Sequence, residues 1–207
     1  MARDRQSIVK MSRREGYALH PKAHKALVKR ATLPGQHGRD GRPRKLSQYA
    51  LQLREKQKVK RLYGLLERQF RKLMSEASAS QEGQAGAMLL QYLERRADNV
   101  VYRAGFALSR RAARQLVSHG HFMLNGRRVD IPSIRIKEGD VLEVRERSKN
   151  TDYFKRLDDV SPVSENDIVG WLKVDRKKLQ VTVSGLPTRE DAEPEINEQL
   201  IVEYYSR

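Results

Sequence analysis

The chain has 207 residues with 42 Lys/Arg against 26 Asp/Glu, a formal net charge of +16 at pH 7, an excess that calls for a polyanionic partner by attraction and counterion release. Without cysteine it can form no disulfide, thiolate metal site or Cys nucleophile. Its apolar runs of a few residues are far short of a bilayer span, and Met1-Ala2-Arg3-Asp4 opens no secretory signal. The expectation is a cytoplasmic, nucleic-acid-binding protein with no membrane partner, in one medium or two small domains.

Residues 1–72 hold 21 Lys/Arg against 5 Asp/Glu, residues 95–149 hold 13 against 6, and residues 150–207 hold 8 against 12. The formal excess therefore belongs to the first third. Residues 1–45 read as a basic arm with thirteen Lys/Arg, in which Pro21, Pro34, Gly35, Gly38, Gly41 and Pro43 interrupt any long helix. Irregular chain is expected there, either a solubilising tail or an arm that becomes ordered on RNA. Its candidate RNA contacts are Arg3, Arg13, Arg14, Lys29, Arg30, His37, Arg39, Arg42, Arg44 and Lys45.

Residues 47–74 read as the clearest helix, with Ser47 placed to cap it. Val59, Leu62, Tyr63, Leu66, Phe70 and Leu73 form one apolar stripe at helical spacing. Arg54, Lys58, Arg61, Arg68 and Lys72 project from the other side. A solvated charged face is the ordinary reading, but acids there are only Glu55 and Glu67. Like charges at i, i+4 cost about a few tenths of a kcal/mol each, so RNA on this face would relieve a penalty. Residues 75–87 are small and polar, without Lys or Arg, and read as a linker and domain boundary.

From Met88 a helix is expected through Arg95 and Arg96 towards Tyr102. Ser109 caps a second one, Arg110 to His119, closed by Gly120. Asn125-Gly126 between Phe122–Leu124 and Arg127–Ile131 signals a tight hairpin. Ile134–Ile136 and Val141–Val144, flanking Lys137-Glu138-Gly139-Asp140, read as a second hairpin. Trp171–Val174 and Leu179–Val183 alternate like strands. Thr188-Arg189-Glu190-Asp191 resembles a helix start, and the apolar group from Ile196 to Tyr205 is expected to dock on the helix of the first third.

Enzymatic chemistry has little support. Neither a Gly-rich phosphate loop nor a Gly-x-Ser-x-Gly elbow is present, and no two acids are singled out as an acid–base pair. His20 and His24 stand at i, i+4, with His37 as the only nearby third ligand, and Pro21 argues against a settled helix; no metal or cofactor is expected. Arg95, Arg96, Arg103, Arg110, Arg111 and Arg114 crowd the middle helices, Arg127-Arg128 follow the hairpin turn, and guanidinium groups fork onto phosphate. The helix start at Ser109 adds N–H donors and a positive dipole end. Gly120, Asn125, Gly126 and Pro132 act first as turn punctuation. With few aromatics, folded RNA would be recognised by shape and backbone.

The run from Arg96-Ala97-Asp98 through Arg103, Ser109-Arg110-Arg111, Arg114-Gln115 and His119-Gly120-His121, continuing to Asn125-Gly126 and Lys137-Glu138-Gly139-Asp140, resembles the S-four RNA-binding domain. That domain also occurs in pseudouridine synthases and some tRNA synthetases, but a synthase would need a further catalytic domain for which no segment is long enough. The flanks are more specific. Pro34-Gly35-Gln36-His37-Gly38, the run Lys45 to Lys58, Tyr63 to Phe70 and Leu200 to Arg207 are similar to bacterial-type small-subunit ribosomal protein four, nearly end to end.

The resemblance implies an α+β fold: a helical domain (46–87, completed by 185–207), an inserted small α/β RNA-binding domain (88–184, motif at about 95–155) of two helices plus an antiparallel sheet, and an extended basic N-terminal arm (1–45). It implies a structural constituent of the small ribosomal subunit that binds a multi-helix junction in the 5′ domain of 16S rRNA, nucleates assembly, contacts ribosomal protein five in support of translational accuracy and lies near the path by which mRNA enters. Many relatives also repress their own message. The RNA-contacting set implied in the middle adds Ser109, Gln115, His119, His121 and Asn125. Val9 and Ser12 stand where many relatives carry zinc-binding cysteines, so the chain resembles the zinc-free branch.

Overall fold

The breakers of the N-terminal arm punctuate helices rather than abolish them. A computed structural model describes residues 6–38, 45–164 and 167–206. In it Ile8–Glu15 (α1) and Pro21–Lys29 (α2) are helical, which corrects the irregular reading of this stretch. Pro21 occupies the first helical position, where its missing N–H is no loss. The N–H of Lys22 donates to His20 Nδ1 at 2.9 Å, so His20 is the N-cap. Gly16, at φ +65, closes α1 in the left-handed region. Met11, Leu19 and Ala23 are buried.

One long helix is expected over 47–74; two form, Gln48–Leu62 (α3) and Glu67–Ala79 (α4). Ser47 caps α3, its Oγ accepting from Ala50 N at 3.3 Å. Gly64, at φ +66, ends it, and Leu65 N donates back to Lys60 O at 2.9 Å, the bond that satisfies a terminal carbonyl. Val59, Leu62, Tyr63, Phe70 and Leu73 are buried as the spacing demands; Leu65 is buried in place of Leu66, because the break shifts the phase. Helix α4 and the next, Ala85–Glu94 (α5), leave only 80–84 as connection.

Thr188–Asp191 is a turn rather than a helix start. Asp191 caps it by accepting from Thr188 N and Oγ1 at 2.7 and 2.9 Å, but the helix begins only at Glu198 (Glu198–Tyr205, α11), capped by Asn197. Helix α11 packs on α3: Asn197 N donates to Glu55 at 2.9 Å, Gln52 Nε2 to Glu203 at 2.6 Å, and the Tyr49 and Tyr204 rings lie 5.8 Å apart. Gly86 admits α11 against α5, since a Cβ there would stand 2.9 Å from Glu198 Cβ.

The chain divides into two compact units, Met1–Leu89 with Glu195–Arg207, and Leu90–Pro194. In the second, the expected helix through Tyr102 breaks at Arg95–Arg96, and Ala97–Arg103 (α6) follows. The break is filled by backbone: Ala97 N donates to Ile134 O at 2.8 Å and Ile136 N to Arg95 O at 2.8 Å. Because 134–136 bonds there, it forms no hairpin with Val141–Val144, and that expectation is corrected.

Arg110–Ser118 (α7) follows, with Ser109 Oγ accepting from Ala112 N at 3.2 Å and Gly120 at φ +71. Phe122–Leu124 (β1) and Arg127–Val129 (β2) pair through Asn125 at φ 49 and Gly126 at φ 77, the left-handed pair that a type I′ turn requires. Val141–Val144 (β3), Leu172–Asp175 (β4) and Gln180–Val183 (β5) complete a five-stranded antiparallel sheet in the order β2-β1-β3-β5-β4. Short helical turns at Glu146–Lys149 (α8), Asp152–Lys155 (α9) and Leu157–Val160 (α10) cross between β3 and β4. One core holds Val100, Val101 and Phe106 with Val117, Phe122, Leu142, Val144, Phe154 and Val181.

Candidate nucleic-acid interface

The first unit uses much of its positive charge internally. Helix α1 brings Glu15, whose side chain is fully buried, to Arg54 (3.2 Å) and Arg61. Burial pushes the Glu15 carboxyl above its ordinary range although Arg54 and Arg61 act the other way. Lys58 pairs with Glu55 at 2.9 Å, donates to Glu195 O at 2.7 Å and lies 5.6 Å from the Tyr17 ring. Glu67 accepts from Lys56 (2.8 Å), Tyr205 Oη (2.7 Å) and Lys60 (3.0 Å). The face of α3 that reads as one-signed is thus neutralised in part, by Glu55 on the helix itself and by Glu15, an acid the helix pattern does not reveal.

Other cations of this unit face outward. Arg14, Lys29, Arg30, Lys45 and Arg68 are exposed. Arg13 instead binds the turn after α2, donating to Thr32 O at 3.0 Å, Thr32 Oγ1 at 3.2 Å and Leu33 O at 3.3 Å. With Lys29, Arg30 and Thr32 it lines a cleft of about 570 Å³. Arg3, Arg39, Arg42, Arg44 and the side chain of His37 lie outside the described residues.

In the second unit the arginines separate into two groups. Arg96 and Arg114 are buried on Asp98: Arg96 donates at 3.0 and 2.9 Å, Arg114 at 3.2 Å. Arg103 donates to Glu94 at 3.0 and 2.9 Å, and Arg110 to Asn99 Oδ1 at 2.8 Å and to Glu193 at 3.1 Å. These four hold helix to helix. Ser109 is spent on its cap, and Asn125 on the Asp140–Val141 turn, donating to Asp140 at 2.8 Å and accepting from Val141 N at 2.9 Å.

Arg111, Gln115, Ser118 and His119 are exposed along α7 and its C-cap at i, i+4, i+7 and i+8, one helical face. Beside that face stand Arg127 and Arg128 of β2, both exposed. Gly120 makes the approach possible, since a Cβ there would lie 2.5 Å from Arg128 Nε. Arg145 Nη1 donates to Gly120 O at 3.2 Å, so cations gather at the carbonyl end of α7. His121 turns inward to Ser148 Oγ at 3.0 Å; burial, with the charges of His119 and Arg145, holds its imidazole below the ordinary range. Arg145 is absent from the sequence-derived set. Its signal was the glycine C-cap at Gly120, whose carbonyl it reaches.

Among the described residues, no group of three or more His, Cys, Asp or Glu is placed to hold a metal ion, and no helix is long and apolar enough to cross a membrane.

A helix pair joined to a hairpin and carrying a ridge of exposed Arg, Gln and His defines the chain as an S4-domain protein: residues 95–142 match the family model of the S4 domain, and residues 3–94 that of the ribosomal protein S4/S9 N-terminal domain. Over their whole lengths, relatives named small ribosomal subunit protein uS4 are 52% identical in Chloroflexus aurantiacus (207 residues, 100% of both chains), 50% in Herpetosiphon aurantiacus (212 residues, 100% of both) and 51% in Chlorobium limicola (207 residues, 100% of both). The chain belongs to the small ribosomal subunit protein uS4 family.

Proposed function

We propose that the chain is a non-enzymatic structural constituent of the cytoplasmic 30S subunit that binds 16S rRNA. The observation that carries this reading is the full-length identity of about half with uS4 proteins, through both the helical and the S4-domain parts. The charge distribution supports a division of labour: the arm (1–45) and the helical domain (46–87 with 185–207) supply much of the attraction, and the insert (88–184) supplies geometry through Arg111, Gln115, His119, Arg127 and Arg128.

The finer reading is that the target is a multi-helix junction of the 16S rRNA 5′ domain, bound early enough to nucleate assembly. Contact with ribosomal protein five, proximity to the mRNA path, a role in accuracy and repression of its own message extend the same proposal. Hydroxyl-radical footprinting of a 16S 5′-domain transcript tests it. Protection clustered at one junction is the expected result; diffuse protection, or a protein sedimenting only outside 30S particles at native expression, overturns it.

A further inference from the structure

Arg103 and Arg110 are held by acids of unequal permanence. Glu94, whose side chain is fully buried on α5, takes both Nε and Nη2 of Arg103. Glu193 lies outside regular secondary structure, with its side chain 23% exposed, and reaches Arg110 at 3.1 Å and Arg103 at 3.6 Å. Its segment is shaped locally. Asp191 caps Thr188, Arg103 Nη2 donates to Asp191 O at 3.1 Å, and Arg189 Nη1 donates to Glu193 O at 3.4 Å.

Removing the Glu193 carboxylate strands neither guanidinium. Arg103 keeps Glu94, and Arg110 keeps Asn99 Oδ1 at 2.8 Å and the Tyr102 ring at 4.6 Å. Removing Asp98, by contrast, would take a shared carboxylate from two buried arginines. Arg110 opens α7, the helix whose outward face carries Arg111, Gln115 and His119. An RNA phosphate offers Arg110 the same kind of charge-assisted acceptor that Glu193 does.

We propose that Glu193 is a built-in competitor of RNA phosphate at Arg110. In the free protein it holds that guanidinium, and a phosphate of correctly shaped RNA replaces it. Glu193 is then a specificity-determining residue. RNA that delivers phosphate to the start of α7 gains a contact, whereas RNA reaching only the helix face and hairpin meets a carboxylate there. The inference rests on the rRNA-binding reading above.

The test measures affinity of the full chain for the 16S 5′-domain transcript. Glu193→Gln is compared with Glu190→Gln, an exposed neighbour that changes net charge equally, each in the Arg110 and Arg110→Gln backgrounds. Glu193→Gln is expected to bind about two- to fivefold tighter than Glu190→Gln, the scale of a partly exposed ion pair, with the excess vanishing in the Arg110→Gln background. Glu193→Asp, which keeps charge and shortens reach, is expected to fall between wild type and Glu193→Gln. Equal gains for Glu193→Gln and Glu190→Gln, or weaker binding by a Glu193→Gln protein that melts like wild type, overturn the inference alone. A wild-type chain that does not bind the transcript overturns the functional reading instead.

Discussion

Asp98 on α6 holds Arg114 of α7 at 3.2 Å while taking paired hydrogen bonds from Arg96 at 3.0 and 2.9 Å, all three side chains buried. One carboxylate thus fixes the helix pair and the strand-like segment at Arg96. Asp98→Asn removes the carboxylate charge that two buried guanidinium groups share. The expected cost is about 3–5 kcal/mol, a large share of a stability of roughly 5–15 kcal/mol. Urea unfolding followed by fluorescence of the single tryptophan, Trp171 in the same core, reads it directly. A loss under 1 kcal/mol (about a quarter of that estimate) would remove Asp98 from this role.

Glu67 makes the first unit acid-sensitive. Burial alone would raise its pKa, but hydrogen bonds from Lys56, Tyr205 and Lys60 outweigh it and lower the value from 4.5 to about 2. A depressed carboxylate pKa contributes stability that is present above pH 4.5 and lost as pH falls towards 2. With its side chain 44% exposed, solvent screening reduces the contribution to about 1–2 kcal/mol. The stability difference between wild type and Glu67→Gln is expected to be full at neutral pH and to shrink over that window. Taking the difference removes Glu15, whose raised pKa acts in the opposite sense.

Gly120→Ala is expected to affect both stability and binding. A side chain at φ +71 costs about 1–2 kcal/mol in the left-handed region, and the new Cβ displaces the Arg128 guanidinium. Thermal melts should show the first effect. Weaker RNA binding at matched folded fraction should show the second, and unchanged binding would detach Arg128 from the interface.

Arg111 and Arg128 are expected to behave unlike Arg96. Arg111→Gln and Arg128→Gln should leave melting nearly unchanged, and each should flatten the dependence of log K on log salt by about 0.7–0.9 per lost phosphate contact. Arg96→Gln should unfold the second unit before any binding effect can be read. If Arg111→Gln and Arg128→Gln leave the salt slope unchanged, the exposed ridge makes no phosphate contact.

Elements whose signals are local were legible in the sequence. Ser47, Ser109 and Gly120 cap as their types require, Asn125-Gly126 turns the hairpin, and the apolar stripe on Val59, Leu62 and Phe70 is buried. What escaped depends on distant partners. No periodicity shows that Glu15 reaches Arg61, that residues 134–136 bond to 95–97 rather than to β3, or that Glu193 arrives at Arg110. For the same reason an arginine count could not separate those that hold helices together from those that face outward. The helices at Ile8–Glu15 and Pro21–Lys29 are a different case: Pro21 is an ordinary start signal that reads as an interruption when treated as composition, and Gly16 is an ordinary stop signal that composition passes over.

The docking of α11 on α3 has a consequence for the order in which the chain is made. The unit Leu90–Pro194 is contiguous and emerges from synthesis complete, whereas the first unit lacks Glu195–Arg207 until after the second has been made. Domains generally fold as units during synthesis, so the later-encoded sheet can mature while the earlier-encoded helices still wait for α11 to pack on α3. A ribosome stalled short of residue 195 is then expected to carry a protease-resistant second unit beside a protease-sensitive first one, the reverse of their order in the chain.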